Sequence, residues 1–299
     1  MKQQIKSSLI LLLTATIWGV AFVAQSVGME YIGPFTFNAI RCVLGGMVLI
    51  PVILVLKKKK ETGAENQEKE DKKTLWMGGI ACGVILCIAS NLQQFGIMEA
   101  SVGKSGFFTA LYIVMIPVIG IFIGKRPGIK LWFCVALAVV GMYLLCMKDG
   151  SFTIERADIM LLLCALAFSF HILVVDYFSP KVDGVKMSCI QFFVCGVLSA
   201  VGMLFTETPD ISNIQAAWLP LLYAGLLSCG VGYTLQIVGQ KGINPVIASL
   251  IMSLESVISA LAGWVILGQV LSPKEILGCV LMFVAIIITQ IPVGNKKTD

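Results

Sequence analysis

Ten apolar runs, each about as long as a bilayer is thick, govern what this chain can become. They cover residues 7–27, 35–56, 75–98, 102–123, 129–147, 157–178, 184–205, 216–240, 245–267 and 273–291. A membrane span needs about 20 apolar residues, each rising 1.5 Å along a helix. In lipid, a single span pairs its own backbone N–H and C=O groups only as a helix. The runs lack the period-two alternation of a transmembrane barrel. The expected fold is therefore an all-α polytopic membrane protein with ten transmembrane helices.

Composition agrees. Of 299 residues, 58% are apolar and 13% charged, whereas soluble domains carry about 25% charge. Such a chain is neither a water-soluble globule, nor disordered, nor a nucleic-acid-binding domain. All ten cysteines (Cys42, Cys82, Cys87, Cys134, Cys146, Cys164, Cys189, Cys195, Cys229 and Cys279) lie inside apolar runs, without a CxxC pair or a His/Cys cluster. Thiols so placed behave as small apolar groups, so no metal and no cofactor are expected. The first run has no A-x-A cleavage site and reads as a retained span. Pro117, inside the fourth run, is a candidate kink.

Charge is concentrated between the runs. Residues 57–74, KKKKETGAENQEKEDKKT, read as a solvated tether. If the N-terminus is cytoplasmic, seventeen of the 22 Lys and Arg residues fall on the cytoplasmic side, leaving Arg41, Lys104, Lys148, Arg156 and Lys274. The positive-inside bias therefore places both termini inside a cell membrane. The net charge of +5 is topology charge, not the footprint of a polyanionic partner.

The chain also repeats itself. At an offset of 150, Leu11 to Ala15 meet Leu161 to Ala165, Ile40 meets Ile190 and Gly46 meets Gly196. At an offset of 139, Gly103 meets Gly242, Leu111 meets Leu250, and Val118-Ile119 meet Val257-Ile258. The halves are expected at 1–150, with the tether, and 151–299. Each holds five spans, and an odd number forces the second half to enter the membrane from the opposite side. That is an inverted repeat, the arrangement that suits alternating access.

The stretches TIWGVAFVAQSVGMEYIGPFTFNAIRCVLGGMVLIP (16–51) and YTLQIVGQKGINPVIASLIMSLESVISALAGWVILGQVLSPKEILGCVLMFVAIII (233–288) resemble EamA-type members of the drug/metabolite transporter superfamily. Such members often carry Gly-Glu where spans four and nine end; here these places hold Gly124-Lys125 and Gly268-Gln269. A family Glu-Pro in span nine is Glu255-Ser256 here. The resemblance implies a secondary transporter that moves a small amino-acid-like or drug-like solute outward. It also implies a central cavity lined by spans one to four and six to nine.

Ionisable and polar residues within spans are costly, so each is a candidate site. Glu255 lies mid-span and offers a carboxylate to a substrate amine or a coupling proton. His171, the one histidine, can donate and accept at neutral pH. Arg41 either snorkels to the interface or faces the cavity for a carboxylate; its repeat mate at offset 150 is Gln191. Asn91 and Gln94, and likewise Tyr233 and Gln236, are spaced i, i+3 and form polar stripes suited to a hydrated wall. Trp18 and Tyr112 sit near mid-depth, where an aromatic can stack on a solute. Every one of these residues has an equally open structural reading as helix-to-helix glue. No P-loop, GxSxG or HExxH motif is present, so an enzyme is not expected. Expected partners are a small solute and the bilayer, with a coupling proton and a second copy of the chain as further candidates. A lipid flippase and an intramembrane enzyme are the rival readings.

Overall fold

The computed structural model describes residues 2–62, 71–124, 127–146, 155–268 and 272–290, and every regular element among them is a helix. The first half forms α1 (Lys2–Gly28), α2 (Pro34–Thr62), α3 (Lys72–Glu99), α4 (Val102–Ala110), α5 (Tyr112–Phe122) and α6 (Ile129–Cys146). The second forms α7 (Arg156–Phe178), α8 (Gly184–Thr206), the short α9 (Ile211–Ala216), α10 (Trp218–Leu222), a π-helical stretch Tyr223–Tyr233, α11 (Thr234–Gln240), α12 (Pro245–Met252), α13 (Glu255–Leu267) and α14 (Pro273–Gln290). Eight spans are long and apolar enough to cross a membrane, and α6 and α14 supply two shorter apolar helices. At 1.5 Å per residue, their 18 residues still reach about 27 Å. The protein is thus an all-helical, multi-pass membrane protein with five helical spans in each half.

Three spans are not single α-helices. Span four breaks at Leu111, six residues before the proline expected to kink it, and Pro117 lies inside α5. At the break the Leu111 N–H turns back only three residues, to Phe108 O (3.2 Å). Span nine breaks at Ser253 and Leu254, where Leu254 N–H bonds Ile251 O (3.2 Å). Its serines loosen it: Ser249, Ser253, Ser256 and Ser259 each donate to the carbonyl three residues back, a competitor for the helical ladder. Span eight widens into π-helix over a segment holding Gly225, Gly230 and Gly232; glycine lowers the cost of leaving the α ladder. The tether also differs from expectation, because α2 continues to Thr62 and α3 begins at Lys72; residues 63–70 lie outside those described.

Packing pairs helices across the halves. α2 lies on α8, α3 on α7 and α8, and α1 on α13, while α6 and α14 pack on each other. The core is crossed by close glycine contacts: a Cβ on Gly19 would overlap Ile258, and one on Gly83 would overlap Val194. Outside, side chains such as Phe122, Leu204, Phe205 and Val265 are largely exposed, an apolar exterior suited to lipid.

Candidate functional site

Where the two halves meet, polar side chains converge on a narrow cavity. Its walls are Trp18, Phe22 and Gln25 of α1, Arg41 of α2, Gln93 of α3, Thr109 of α4, Tyr112 of α5, Phe168 and Ile172 of α7, Ser228 and Tyr233 of the π-helical stretch, Gln236 of α11 and Glu255 of α13. Many of these are equivalent positions in the two halves. Trp18 and Phe168 stand 150 residues apart, as do Phe22 and Ile172. Spans four and nine start at Val102 and Pro245, 143 apart and not the 139 that the leucine and glycine matches suggest, because short apolar matches do not fix a helical register. On the 143 register Tyr112 pairs with Glu255 and Gln93 with Gln236. Both halves therefore contribute to its wall. Only about 20 Å³ of it can hold the centre of a water molecule, so here it is closed down to one or two waters.

Tyr112 and Glu255 are the first residues after the two breaks in spans four and nine. The breaks aim them at each other, and the Tyr112 hydroxyl donates to Glu255 Oε1 at 2.9 Å. Glu255 is 3% exposed. Its protein partner is therefore a phenol, not a cation, which leaves the carboxyl free to take a proton or an ammonium group.

Arg41 is 2% exposed, so it does not snorkel: it turns inward to the cavity. Its Nη1 donates to Gln25 Oε1 at 2.7 Å, and its guanidinium lies 5.6 Å from the centre of the Phe37 ring. Among the described residues no ion pair joins Arg41 to a carboxylate. Part of the wall is aromatic. Trp18 and Tyr233 pack with ring centres 4.6 Å apart, and Trp18 Nε1 donates to Ser228 O of the π-helical stretch at 3.4 Å.

Of the ten residues singled out from the sequence, Glu255, Tyr112, Trp18, Tyr233, Gln236 and Arg41 line this cavity. The other four are buried behind it. His171 Nε2 and Gln191 Oε1 pair at 3.1 Å, with the His171 ring edge-on to Tyr233 (6.0 Å). Asn91 accepts from Asn38 (2.9 Å) and donates to Ser199 (3.0 Å), and Gln94 is fully buried. Gln93 takes the cavity position instead, one residue and about 100° around the helix from Gln94. The sequence reading also passed over Gln25, Thr109 and Ser228. Gln25 had a visible signal, a polar residue inside an apolar run, but it stands too near the run's end to be told from an interfacial side chain.

Comparison with known proteins places this geometry in context. The profile of the EamA-like transporter family matches residues 5–147 and 155–291. An uncharacterized transporter of Archaeoglobus fulgidus is 27% identical over 95% of this chain and 85% of its own length. The uncharacterized transporter YwfM of Bacillus subtilis is 23% identical over 97% and 96%. One solved crystal structure shares the fold with a TM-score of 0.76 at 17% identity, covering 95% of this chain and 96% of its own. This chain is a membrane transporter and belongs to the EamA-like transporter family.

Proposed function

We propose that the chain exports a small amino-acid-like metabolite across the cell membrane by alternating access, and that Glu255 couples this movement to a proton. The observation that carries the reading is the cavity wall. Equivalent residues from both halves line it, so a rocking of one half against the other exposes the same groups first to one side, then to the other.

Glu255 supplies the coupling. An ionised carboxylate there attracts a solute ammonium group, and a proton on the same carboxyl abolishes that attraction. Solute and proton therefore compete for one site, and each can bias the equilibrium between the two open states only through such differential binding. Entry of the solute from inside, its displacement by a proton from outside, and return of the protonated carrier complete an export cycle. The excess of Lys and Arg in alternate loops supports cytoplasmic termini, and the repeat offsets support halves at 1–150 and 151–299.

Transport into liposomes tests the reading. With purified protein reconstituted, an acidic lumen, from which protons flow out, should drive accumulation of a solute found by screening metabolites for thermal stabilisation, and the reversed gradient should not. Glu255→Gln keeps the side-chain shape and removes the titration. It should abolish the response to the pH gradient, while solute exchange at equal pH persists at lowered affinity. An unchanged pH response in that variant would remove Glu255 as the proton carrier.

A further inference from the structure

The cation of the cavity lacks a counter-charge. A buried guanidinium without an anionic partner costs several kcal/mol of lost hydration. Arg41 meets an amide oxygen and an aromatic face, which supply a dipole and a quadrupole but no negative charge. Glu255 lines the same cavity, yet its carboxyl is held by Tyr112 and forms no ion pair with Arg41.

The guanidinium is also held in one orientation. It is planar, with two edges able to grip a pair of oxygens. Gln25 Oε1 takes Nη1 at 2.7 Å, and the Phe37 ring lies against the group. Nε is buried, and among the described residues nothing accepts from it. The edge made by Nε and Nη2 is therefore free of protein partners, and it has the spacing of the two oxygens of a carboxylate. Charge and positioner occur in the same half only. At offset 150 the mate of Arg41 is Gln191 and the mate of Gln25 is Val175.

We infer that Arg41 is a carboxylate receptor, that Gln25 is the positioning residue presenting its free edge, and that the transported solute bears a carboxylate. This rests on the proposal above that the solute occupies this cavity. It goes further by fixing the acidic end of the solute on the first half of the chain, opposite Glu255 on the second.

Three pairs of probes test it on the purified full-length protein: L-alanine, L-leucine and L-phenylalanine, each against its own carboxamide. Each pair shares amine and side chain and differs at the carboxyl. Thermal unfolding is followed as each is titrated at constant ionic strength. At least one acid should raise the Tm, with an apparent affinity at least tenfold above its amide. Arg41→Lys keeps the charge but loses the two-pronged edge, and should cut acid binding tenfold or more. Gln25→Ala should lower the acid-to-amide ratio severalfold. Gln25→Glu places a carboxylate on Arg41 from within, and should abolish acid binding without lowering the Tm of the free protein.

If no acid binds, or if acid and amide bind alike, the inference is overturned. It is equally overturned if the three variants lower the Tm but leave the ratio unchanged, since that is the pattern of a merely structural pair. Exchange of the binding acid in loaded liposomes separates this outcome from the transport reading. An acid that binds through Arg41 but is never exchanged defeats transport at this cavity and leaves the receptor standing.

Discussion

The two halves of the chain build the same wall with different chemistry. Trp18 is matched by Phe168, Phe22 by Ile172 and Gln93 by Gln236, each pair lining the cavity and each conservative in size or polarity. The ionisable positions, and the glutamine that holds Arg41, break the pattern. Tyr112 is matched by Glu255, Arg41 by Gln191 and Gln25 by Val175. Repetition is thus kept where packing sets the shape, and abandoned at the charged positions, where the proposed function places the solute. In the proposed cycle, a solute that touches both Arg41 and Glu255 would tie one half to the other, so its binding would act on the interface between them.

The largest effect is expected where the halves differ by a charge. Glu255→Leu removes an ionised contact, worth about 1.5–3 kcal/mol, and should weaken solute binding by about 10- to 100-fold. Its mate Tyr112 contributes only the 2.9 Å hydrogen bond that orients it. Tyr112→Phe should therefore cost about 1 kcal/mol, or roughly fivefold. Binding titrations of both variants check the ranking, and equal losses would mean that the two positions act as a symmetric pair.

A second contrast concerns packing. A Cβ on Gly19 would overlap Ile258 and come within 2.9 Å of the Glu255 carbonyl. Gly19→Val should destabilise the protein by about 1–3 kcal/mol through overpacking of α1 on α13. The equivalent position, Ser169, spends its hydroxyl on Ala165 O in its own helix (2.8 Å). Ser169→Ala should then cost less than about 1 kcal/mol. Thermal unfolding in detergent measures both, and a larger loss at Ser169 would reverse the asymmetry.

The architecture was legible because lipid imposes one rule on every span. Length and hydropathy found all ten runs, and the odd count per half implied inversion. The breaks were less visible. Pro117 was the obvious breaker of span four, yet the chain turns at Leu111; a missing N–H is tolerated within α5, while the i−3 turn at Leu111 leaves no mark in composition. The π-helical stretch was equally hidden, because its three glycines fit a close helix contact just as well. Within the site, polar residues inside runs were the right place to look, but a stripe read from spacing carries no absolute rotation. Gln93 and Gln94 differ by one helical step, and only packing decides which faces the cavity. Arg41 near a span end fits both snorkelling and burial in sequence, because the partner that holds it inward, Gln25, lies on another helix.

A last contrast lies at the helix starts, where the halves solve one problem in two ways. The N–H groups of Val185 and Lys186 at the start of α8 are capped by Asp183, at 3.0 and 3.2 Å. Their mates, Phe35 and Thr36 at the start of α2, have Gly33 where α8 has Asp183. They are capped instead from the other half, by the Glu207 carboxylate at the end of α8, which takes both N–H groups at 2.8 Å and the Thr36 hydroxyl at 2.6 Å. Either cap is worth about 1 kcal/mol, so Glu207→Ala and Asp183→Ala should destabilise by similar amounts. Gly33→Asp discriminates between the two arrangements. In the native background its Cβ overlaps the Glu207 carboxyl carbon and it should destabilise. In the Glu207→Ala background the space is open and the new aspartate can cap α2 from within, as Asp183 caps α8, so the same substitution should stabilise. A change of sign between the two backgrounds, read by thermal unfolding, is the expected result. The same sign in both would show that the contact between α8 and α2 is not a cap.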